Sequence, residues 1–185
     1  MIGSTRQQEG IMQLLIVSDS HGNKRILDEL VSRYSDKVDA FVHCGDSELS
    51  SDDLIWGIMD TVRGNCDFDG GYQDVFVSRK LEYEYLVTHG HHHDVKRTLE
   101  QLKATAREEN VPFVFYGHSH ELKFDYQDGI FFINPGSIQS PRGRLTEPTY
   151  CLLKAEGSHL DIQVYTDKHV QLVKMSYHSD KLIKF

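Results

Sequence analysis

The sequence predicts a single α/β domain, and three observations support that prediction. The chain has 185 residues, which is enough for one domain with a full-sized hydrophobic core. Strand and helix patterns alternate in its first half, and strands are more frequent in its second half. Polar motifs come directly after apolar strands, at the positions where ligands bind in α/β sheets. We therefore expect one domain over residues 12–185, preceded by a disordered extension at residues 1–11.

Short apolar runs in the first half of the chain predict buried strands. These runs cover residues 12–17, 39–43 and 61–63. Apolar residues at helical spacing predict a helix over residues 23–34. The stretch 50–59 also indicates a helix, with a serine as its N-terminal cap.

The second half of the chain is richer in strand patterns. The ranges predicted as strands are 74–78, 81–88, 113–116, 122–126, 130–134, 149–154, 159–166 and 170–177. A helix is predicted over residues 95–109, and Pro112 follows as a residue that cannot continue it. Gln127-Asp128-Gly129 is a turn sequence, which indicates a hairpin between the strands on either side of it.

Composition disfavours several classes of function. The net charge of −8 repels a phosphate backbone, so a nucleic-acid polymer is not an expected partner. No apolar run approaches the roughly 20 residues of a membrane helix, and residues 1–11 lack the apolar centre of a signal peptide. Cys44, Cys66 and Cys151 form neither a disulfide framework nor a structural zinc pattern. Reduced thiols in a cytoplasmic protein, with no membrane association, are the simpler interpretation.

Five short motifs together supply seven donors for metal ions. In chain order they are Asp19-Ser20-His21, Gly45-Asp46, Gly64-Asn65-Cys66-Asp67, Thr88-His89-Gly90-His91 and Gly117-His118-Ser119-His120. Carboxylate and amide oxygens combined with imidazole nitrogens suit Mn, Fe, Zn, Co or Ni better than Ca. Asp19 and His21 are two residues apart, so in extended backbone their side chains would lie on one face.

A pair of such metals would make phosphoryl chemistry accessible without a protein nucleophile. Two cations about 3.5–4 Å apart stabilise both the attacking and the leaving oxygen of a phosphoryl displacement. They also lower the pKa of a shared water far enough to form hydroxide near neutral pH. The donor set therefore indicates metal-assisted hydrolysis of a phosphate ester.

The ordered motifs, followed by Asn134-Pro135-Gly136-Ser137, resemble those of calcineurin-like metallophosphoesterases, and in particular the small single-domain YfcE-like phosphodiesterases. The resemblance covers residues 12–177. It implies a two-sheet α/β/β/α sandwich. It also implies a phosphodiesterase that hydrolyses small phosphodiesters by attack of a hydroxide bridging two divalent metal ions. Manganese is the first choice of metal, and Ni, Co, Fe and Zn are alternatives.

The same resemblance assigns roles to the donors. One metal would be held by Asp19, His21 and His120, and the second by Asn65, His89 and His118. Asp46 would bridge the two ions, and Asn65 would also position the phosphate.

Two further roles stay open at this stage. Cys66 stands where many members of the superfamily have the histidine that protonates the leaving group. His91 is therefore a candidate for the general acid. Arg142 could contact a substrate phosphate, and a solvated loop arginine is an equally good interpretation.

Several alternatives accompany this hypothesis. A protein-binding scaffold on the same fold, like the related retromer subunit, would show little catalysis, although here no ligand position is substituted. His92 and His93 are more simply surface residues, and His43 a strand residue without a ligand role. Cys44, Cys151, Trp56 and the aromatic residues of 113–132 are more simply core. Strand edges and hairpins could support association into a homodimer or a homotetramer.

Overall fold

The computed structural model describes residues 10–178. Of the predicted extension at residues 1–11, positions 1–9 lie outside the described residues. Ile11, which was expected in the extension, is part of the first strand, so the prediction is wrong at that residue.

The regular elements follow the predicted alternation, and among residues 10–178 every helix precedes residue 110. In chain order they are β1 (Ile11–Val17), α1 (Lys24–Tyr34), β2 (Ala40–His43), a 3₁₀ helix (Leu54–Gly57), β3 (Met59–Thr61), β4 (Val75–Ser78), β5 (Tyr85–Thr88), a second 3₁₀ helix (His91–His93), α2 (Glu100–Glu109), β6 (Phe113–Phe115), β7 (Leu122–Gln127), β8 (Ile130–Pro135), β9 (Thr149–Glu156), β10 (His159–Thr166) and β11 (Gln171–His178).

The strands form two mixed sheets. One has six strands in the order β11-β10-β9-β1-β2-β3, and the other has five in the order β4-β5-β6-β8-β7. Within the first sheet β1, β2 and β3 run parallel, and within the second β5, β6 and β8 run parallel. Parallel strands bring their carboxyl ends to one edge of a sheet, so the loops that follow them can converge.

The two sheets pack face to face over the main hydrophobic core. Its buried residues come from both sheets and include Met12, Leu14, Ile16, Tyr85, Val87, Phe113, Phe115, Ile133, Leu153 and Val164. Cys44 and Cys151 are buried in this same core, as predicted. Tyr126 was predicted to be a core residue, and this is wrong, because Tyr126 is 38% exposed. Trp56, also predicted as core, is only partly buried against the outer face of the first sheet.

Each sheet is covered on its outer face by one helix. α1 packs on the six-stranded sheet through a stripe that includes Leu27 and Leu30, and both are fully buried. α2 packs on the five-stranded sheet through Leu102 and Ala106. Full burial of one such leucine contributes about 1.5–3 kcal/mol to folding. The predicted α/β/β/α sandwich is confirmed.

The predicted helix over residues 50–59 is wrong. Only Leu54–Gly57 is helical, as one short 3₁₀ helix, and Asp53 caps it instead of the predicted serine. The Ser50 carbonyl accepts a hydrogen bond from Trp56 Nε1 at 3.0 Å. This hydrogen bond joins the end of the segment to its beginning, so the segment forms a compact loop and not a continuous helix.

The predicted helix over residues 95–109 begins later, at Glu100. Asp94 adopts a left-handed backbone with φ of 54°, and hydrogen-bonded turns follow it. Val95 and Leu99 are nevertheless buried under the sheet. Their spacing therefore resembles that of a helix, although the backbone between them is not helical.

Two predicted strands have different boundaries. β3 ends at Thr61, where the predicted strand begins, and β5 begins at Tyr85 instead of residue 81, because its pairing with β4 starts there. The other predicted strands and the helix α1 are confirmed to within about two residues. Within residues 10–178, no helix is long and apolar enough to cross a membrane.

Candidate metal centre

The predicted donors lie together at the carboxyl ends of the parallel strands. Asp19 and His21 follow β1, and Asp46 follows β2. His89 follows β5 in the second sheet, and the loop after β6 carries His118 and His120. The centre therefore lies where the carboxyl edges of both sheets meet, which explains how donors distant in sequence reach one point.

Five of these donors have a backbone conformation that L-residues rarely adopt. The residues with positive φ are Asp19 (53°), His21 (43°), Asp46 (54°), His118 (69°) and His120 (60°). Such strained conformations cluster at functional sites, where surrounding contacts enforce them. The expectation that Asp19 and His21 share a face because the strand end is extended is wrong. Left-handed turns, not strand alternation, direct these side chains inward.

Backbone hydrogen bonds hold the first two loops together. The Asp19 amide donates to the Gly45 carbonyl at 3.1 Å, and the His21 amide donates to the Asp46 carbonyl at 3.0 Å. The Ser137 hydroxyl fixes the same loop from the other side by donating to the Asp19 carbonyl at 2.8 Å. The left-handed turns are thus stabilised by pairing that continues beyond the ends of the strands.

The first donor group consists of Asp19, His21 and His120. Asp19 Oδ1 lies 3.1 Å from His120 Nε2, and His120 Nε2 lies 3.3 Å from His21 Nε2. One donor atom from each of these residues and from Asp46 falls within 4.8 Å of the others. This is the predicted first ligand set together with the predicted bridging carboxylate.

The first donor group fits a divalent cation. Asp19 Oδ1 is buried without a hydrogen-bond partner, and a buried carboxylate oxygen left in this way is costly. His120 Nδ1 lies 2.7 Å from the Ser140 carbonyl, which can only accept, so Nδ1 carries hydrogen and Nε2 faces Asp19. A cation among these atoms would satisfy the carboxylate and the converging nitrogens together.

The second donor group consists of Asn65, His89 and His118. His89 Nε2 lies 3.2 Å from Asn65 Oδ1 and 3.3 Å from Asp46 Oδ2. The His118 ring lies 5.1 Å from the His89 ring, measured between centroids. His89 Nδ1 donates to the Cys44 carbonyl at 2.8 Å, which directs Nε2 to the centre. Asp46 therefore contacts both donor groups.

Opposite charges in the centre reinforce one another. Burial alone would raise the pKa of Asp46, but His89 and the Cys66 amide lower it overall. Burial would likewise lower the pKa of His89, but Asp46 and Asp19 raise it. The Asp19 carboxylate, whose Oδ1 lies 3.1 Å from His120 Nε2, raises the pKa of His120. The carboxylates are thus held ionised and the imidazoles compensate them, a role that a metal ion would take over by displacing protons.

The residues proposed for other catalytic roles lie around this centre. His91 is half-buried in the second 3₁₀ helix, with its ring 5.4 Å from that of His89. Burial, with the nearby His89, lowers the pKa of His91 to about 4. Arg142 is exposed, and its amide donates to the His120 carbonyl at 3.0 Å. Its backbone is thus anchored to the centre while its guanidinium reaches solvent.

The residues expected to be outside the centre have other contacts. His43 is buried between Ser20 and the Gly45 amide, which donates to His43 Nδ1 at 3.1 Å. Burial lowers the pKa of His43 to about 4. His92 is exposed and His93 half-buried on the second 3₁₀ helix.

The end of β8 and the turn that follows it support the centre through hydrogen bonds. Asn134 Nδ2 donates to the Gly117 carbonyl at 2.9 Å, next to the donor His118. The Gly136 amide donates to Asn134 Oδ1 at 3.0 Å. Residues 134–137 therefore hold the loop that carries His118 in place.

Sequence reasoning assigned no role to Asp67, although this residue closes the third motif. Its carboxylate accepts hydrogen bonds from the amides of Gly64 (2.7 Å), Asp46 (2.8 Å) and Glu48 (2.7 Å). It therefore clamps the loop after β2 to the loop after β3. Its place in the motif was the available signal, but the partners of its carboxylate could not be read from the sequence.

Sequence reasoning also missed Glu48. Its Oε1 lies 2.5 Å from His21 Nδ1, and His21, Glu48 and Cys66 form a second cluster of metal-binding atoms within 4.8 Å of one another. Burial and the nearby Asp46 raise the pKa of the Cys66 thiol to about 11. No motif in the sequence marks Glu48.

Two opposed sheets with this donor set at their shared carboxyl edge define a metallophosphoesterase fold. The model of the calcineurin-like phosphoesterase superfamily domain matches residues 12–158, and the chain belongs to that superfamily. The superfamily implies divalent metal ions, and the Asp–His cluster of this chain is a possible site for them.

Two curated relatives cover most of the chain. The probable metallophosphoesterase YsnB of Bacillus subtilis is 38% identical over 154 residues, which are 83% of this chain and 90% of that protein. The phosphodiesterase MJ0936 of Methanocaldococcus jannaschii is 26% identical over 144 residues, 68% of this chain and 83% of that protein.

Solved structures confirm the fold. A conserved protein of Streptococcus pneumoniae, described as a predicted phosphoesterase, has a TM-score of 0.88 and 33% identity, covering 91% of this chain and 98% of its own. The Zn²⁺ complex of Vps29 from Entamoeba histolytica has a TM-score of 0.65 and 20% identity, covering 90% and 99%. At that identity the second likeness concerns the fold alone.

Proposed function

We propose that the protein is a phosphodiesterase that hydrolyses small phosphodiesters with two divalent metal ions. The observation that carries this proposal is the four-residue cluster of Asp19, His21, Asp46 and His120, in which a buried carboxylate oxygen lacks a partner. Asp46 also contacts His89 of the second donor group, so a shared carboxylate stands between two sets of ligands. Membership of the superfamily supports hydrolysis of phosphate esters.

The metal ions would be held as the motifs imply. Asp19, His21 and His120 would bind the first ion, Asn65, His89 and His118 the second, and Asp46 both. When bound, two such ions activate water near neutral pH and stabilise the charge of a phosphoryl group under attack. Manganese is the first candidate, because mixed oxygen and imidazole donors suit it, and Ni, Co, Fe and Zn share that preference.

The chain's own residues would position the substrate at the open side of the centre. Asn65 is exposed, so its Nδ2 can donate to a phosphoryl oxygen while Oδ1 faces His89. The exposed guanidinium of Arg142 can bind a second phosphate oxygen. With Asn65 and Arg142 both open to solvent, a small diester can enter without the movement of a lid.

Protonation of the leaving group is the step for which the chain is least equipped. The Cys66 thiol, with its pKa raised to about 11 by burial and Asp46, is a weak acid at neutral pH. His91 is the remaining candidate and lies beside the second donor group, but with its pKa lowered to about 4 it carries little of the proton at neutral pH. Diesters whose leaving group needs no proton, such as aryl esters, are therefore the expected preferred substrates.

The proposal is tested by removing and restoring metal. Protein stripped with a chelator should lose hydrolysis of an aryl phosphodiester and regain it with Mn²⁺. If Mn²⁺, Ni²⁺, Co²⁺, Fe²⁺ and Zn²⁺ all fail to restore hydrolysis, the proposal is wrong. The scaffold alternative predicts a different result, because it requires neither bound metal nor turnover. Metal analysis of the protein as purified separates the two.

A further inference from the structure

We propose that Glu48 is a positioning residue, which fixes the ring of His21 and strengthens it as a ligand of the first donor group. This inference rests on the proposed function for the metal that His21 would bind. It goes further by assigning a role to a residue outside the donor motifs. Its basis is the 2.5 Å contact between Glu48 Oε1 and His21 Nδ1.

The outer nitrogens of three donor imidazoles have different partners. His89 Nδ1 faces the Cys44 carbonyl and His120 Nδ1 faces the Ser140 carbonyl. Both partners are neutral backbone groups. His21 Nδ1 alone among these three faces a carboxylate. A carboxylate partner fixes the tautomer as a carbonyl does, and in addition makes the imidazole a stronger metal ligand.

The backbone conformation around Glu48 and His21 holds their side chains in contact. Glu48 has φ of 56°, in the left-handed region, and its amide donates to Asp67 Oδ1 at 2.7 Å. His21 is held to the same loop, because its amide donates to the Asp46 carbonyl. Two fixed backbones therefore bring the two side chains together, although the Glu48 side chain is 43% exposed.

The geometry also fixes which nitrogen of His21 serves the centre. With Nδ1 donating to Glu48, Nε2 presents its lone pair towards His120 Nε2, 3.3 Å away. Without Glu48, the ring could turn over or carry hydrogen on Nε2, and either change would withdraw the ligand. Glu48 thus acts on the first donor group and not on His89 in the second.

Calorimetric titration of metal-free protein with Mn²⁺ tests this role. Glu48→Gln keeps an acceptor oxygen but removes the charge, whereas Glu48→Ala removes both. We expect affinity at one of the two metal positions to fall about 10–100-fold in Glu48→Ala, and less in Glu48→Gln. Affinity at the other position should stay unchanged. Glu108→Gln, an exposed change of the same charge on α2, is the matched control.

A second measurement needs neither metal nor turnover. Nitrogen-15 spectra of the histidine rings should show His21 with hydrogen on Nδ1 in the parent, and a shift towards Nε2 in Glu48→Ala. Equal Mn²⁺ affinities in parent and both variants, or an unchanged His21 tautomer, would overturn the role of Glu48. A parent chain that binds none of Mn²⁺, Ni²⁺, Co²⁺, Fe²⁺ and Zn²⁺ would overturn both proposals. Mn²⁺ binding that depends on Glu48, without hydrolysis of any diester, would contradict the proposed function alone.

Discussion

The two donor groups that share Asp46 are built differently. In the first group Asp19 is fully buried, His120 is 7% exposed and His21 is half-buried, and backbone hydrogen bonds fix the loop that carries Asp19 and His21. In the second group His89 is fully buried, but Asn65 is exposed and His118 half-buried. The first group is therefore the more closed and more firmly held ligand set, and the second opens to solvent through Asn65. We infer that the first group binds metal more tightly and that substrate enters over the second.

The largest effect is expected from the residue that joins the two groups. Asp46→Ala removes the shared carboxylate and should lower both metal content and diester hydrolysis by more than about 100-fold. Loss of a residue that only hydrogen-bonds to a metal ligand already lowers metal affinity or activity about 10–100-fold. Metal analysis and turnover of the purified variant measure this. Asp36→Ala, an exposed change of the same kind after α1, is the control. A variant that keeps one tightly bound ion would show that the two groups are independent.

Single-ligand variants should separate the groups. Asp19→Asn keeps the shape of the side chain but removes the charge that a cation in the first group requires, so we expect loss of the tighter ion. His118→Ala should remove only the weaker ion and leave the first group loaded. Equilibrium dialysis against Mn²⁺ distinguishes the two outcomes. Loss of the tighter ion in His118→Ala would reverse our assignment of affinities.

A smaller effect is expected from the clamp between the loops after β2 and β3. Asp67→Asn replaces a carboxylate that accepts three amide hydrogen bonds, and the Nδ2 that takes the place of one carboxylate oxygen can only donate. We expect a loss of about 1–3 kcal/mol in the free energy of unfolding of metal-free protein, because buried amides lose an acceptor. Urea unfolding measures it. An unchanged unfolding midpoint would show that the clamp is dispensable.

The smallest expected change concerns specificity. Cys66→His would place an imidazole where many members of the superfamily have their leaving-group acid. Hydrolysis of alkyl diesters should rise relative to aryl diesters, because alkyl leaving groups need the proton more. The ratio of the two rates is the measurement, with Cys66→Ser as the control. An unchanged ratio would argue that another residue, such as His91, already supplies the proton.

The sequence predicted most of the strands because their apolar residues are buried in the core. β10, for example, has alternating burial along its whole length, and this alternation is visible in the sequence. The prediction of helix from the sequence failed over residues 50–59 and 95–99, where contacts made in the folded chain replace local helix formation. Leu99 is buried in both the predicted and the observed structure, so hydrophobic pattern alone could not separate them.

The donor types were readable from the sequence, but their geometry was not. The motifs identified Asp19 and His21 as donors, but the left-handed backbone of these two residues depends on hydrogen bonds with the loop after β2. Glu48 reaches His21 across 27 residues of sequence, and no local signal marks such a contact. Residue identity therefore predicted the chemistry, whereas the arrangement of the donor groups required the fold.

Electron paramagnetic resonance of the protein during a Mn²⁺ titration tests the shared role of Asp46 most directly. If Asp46 joins two donor groups, the spectrum should first show one isolated ion and then the coupled spectrum of a pair held a few Å apart, at about two ions per chain. Asp46→Ala should never show the coupled spectrum. A parent protein that saturates with one ion, or that binds two ions without coupling, would contradict a centre built on a shared carboxylate.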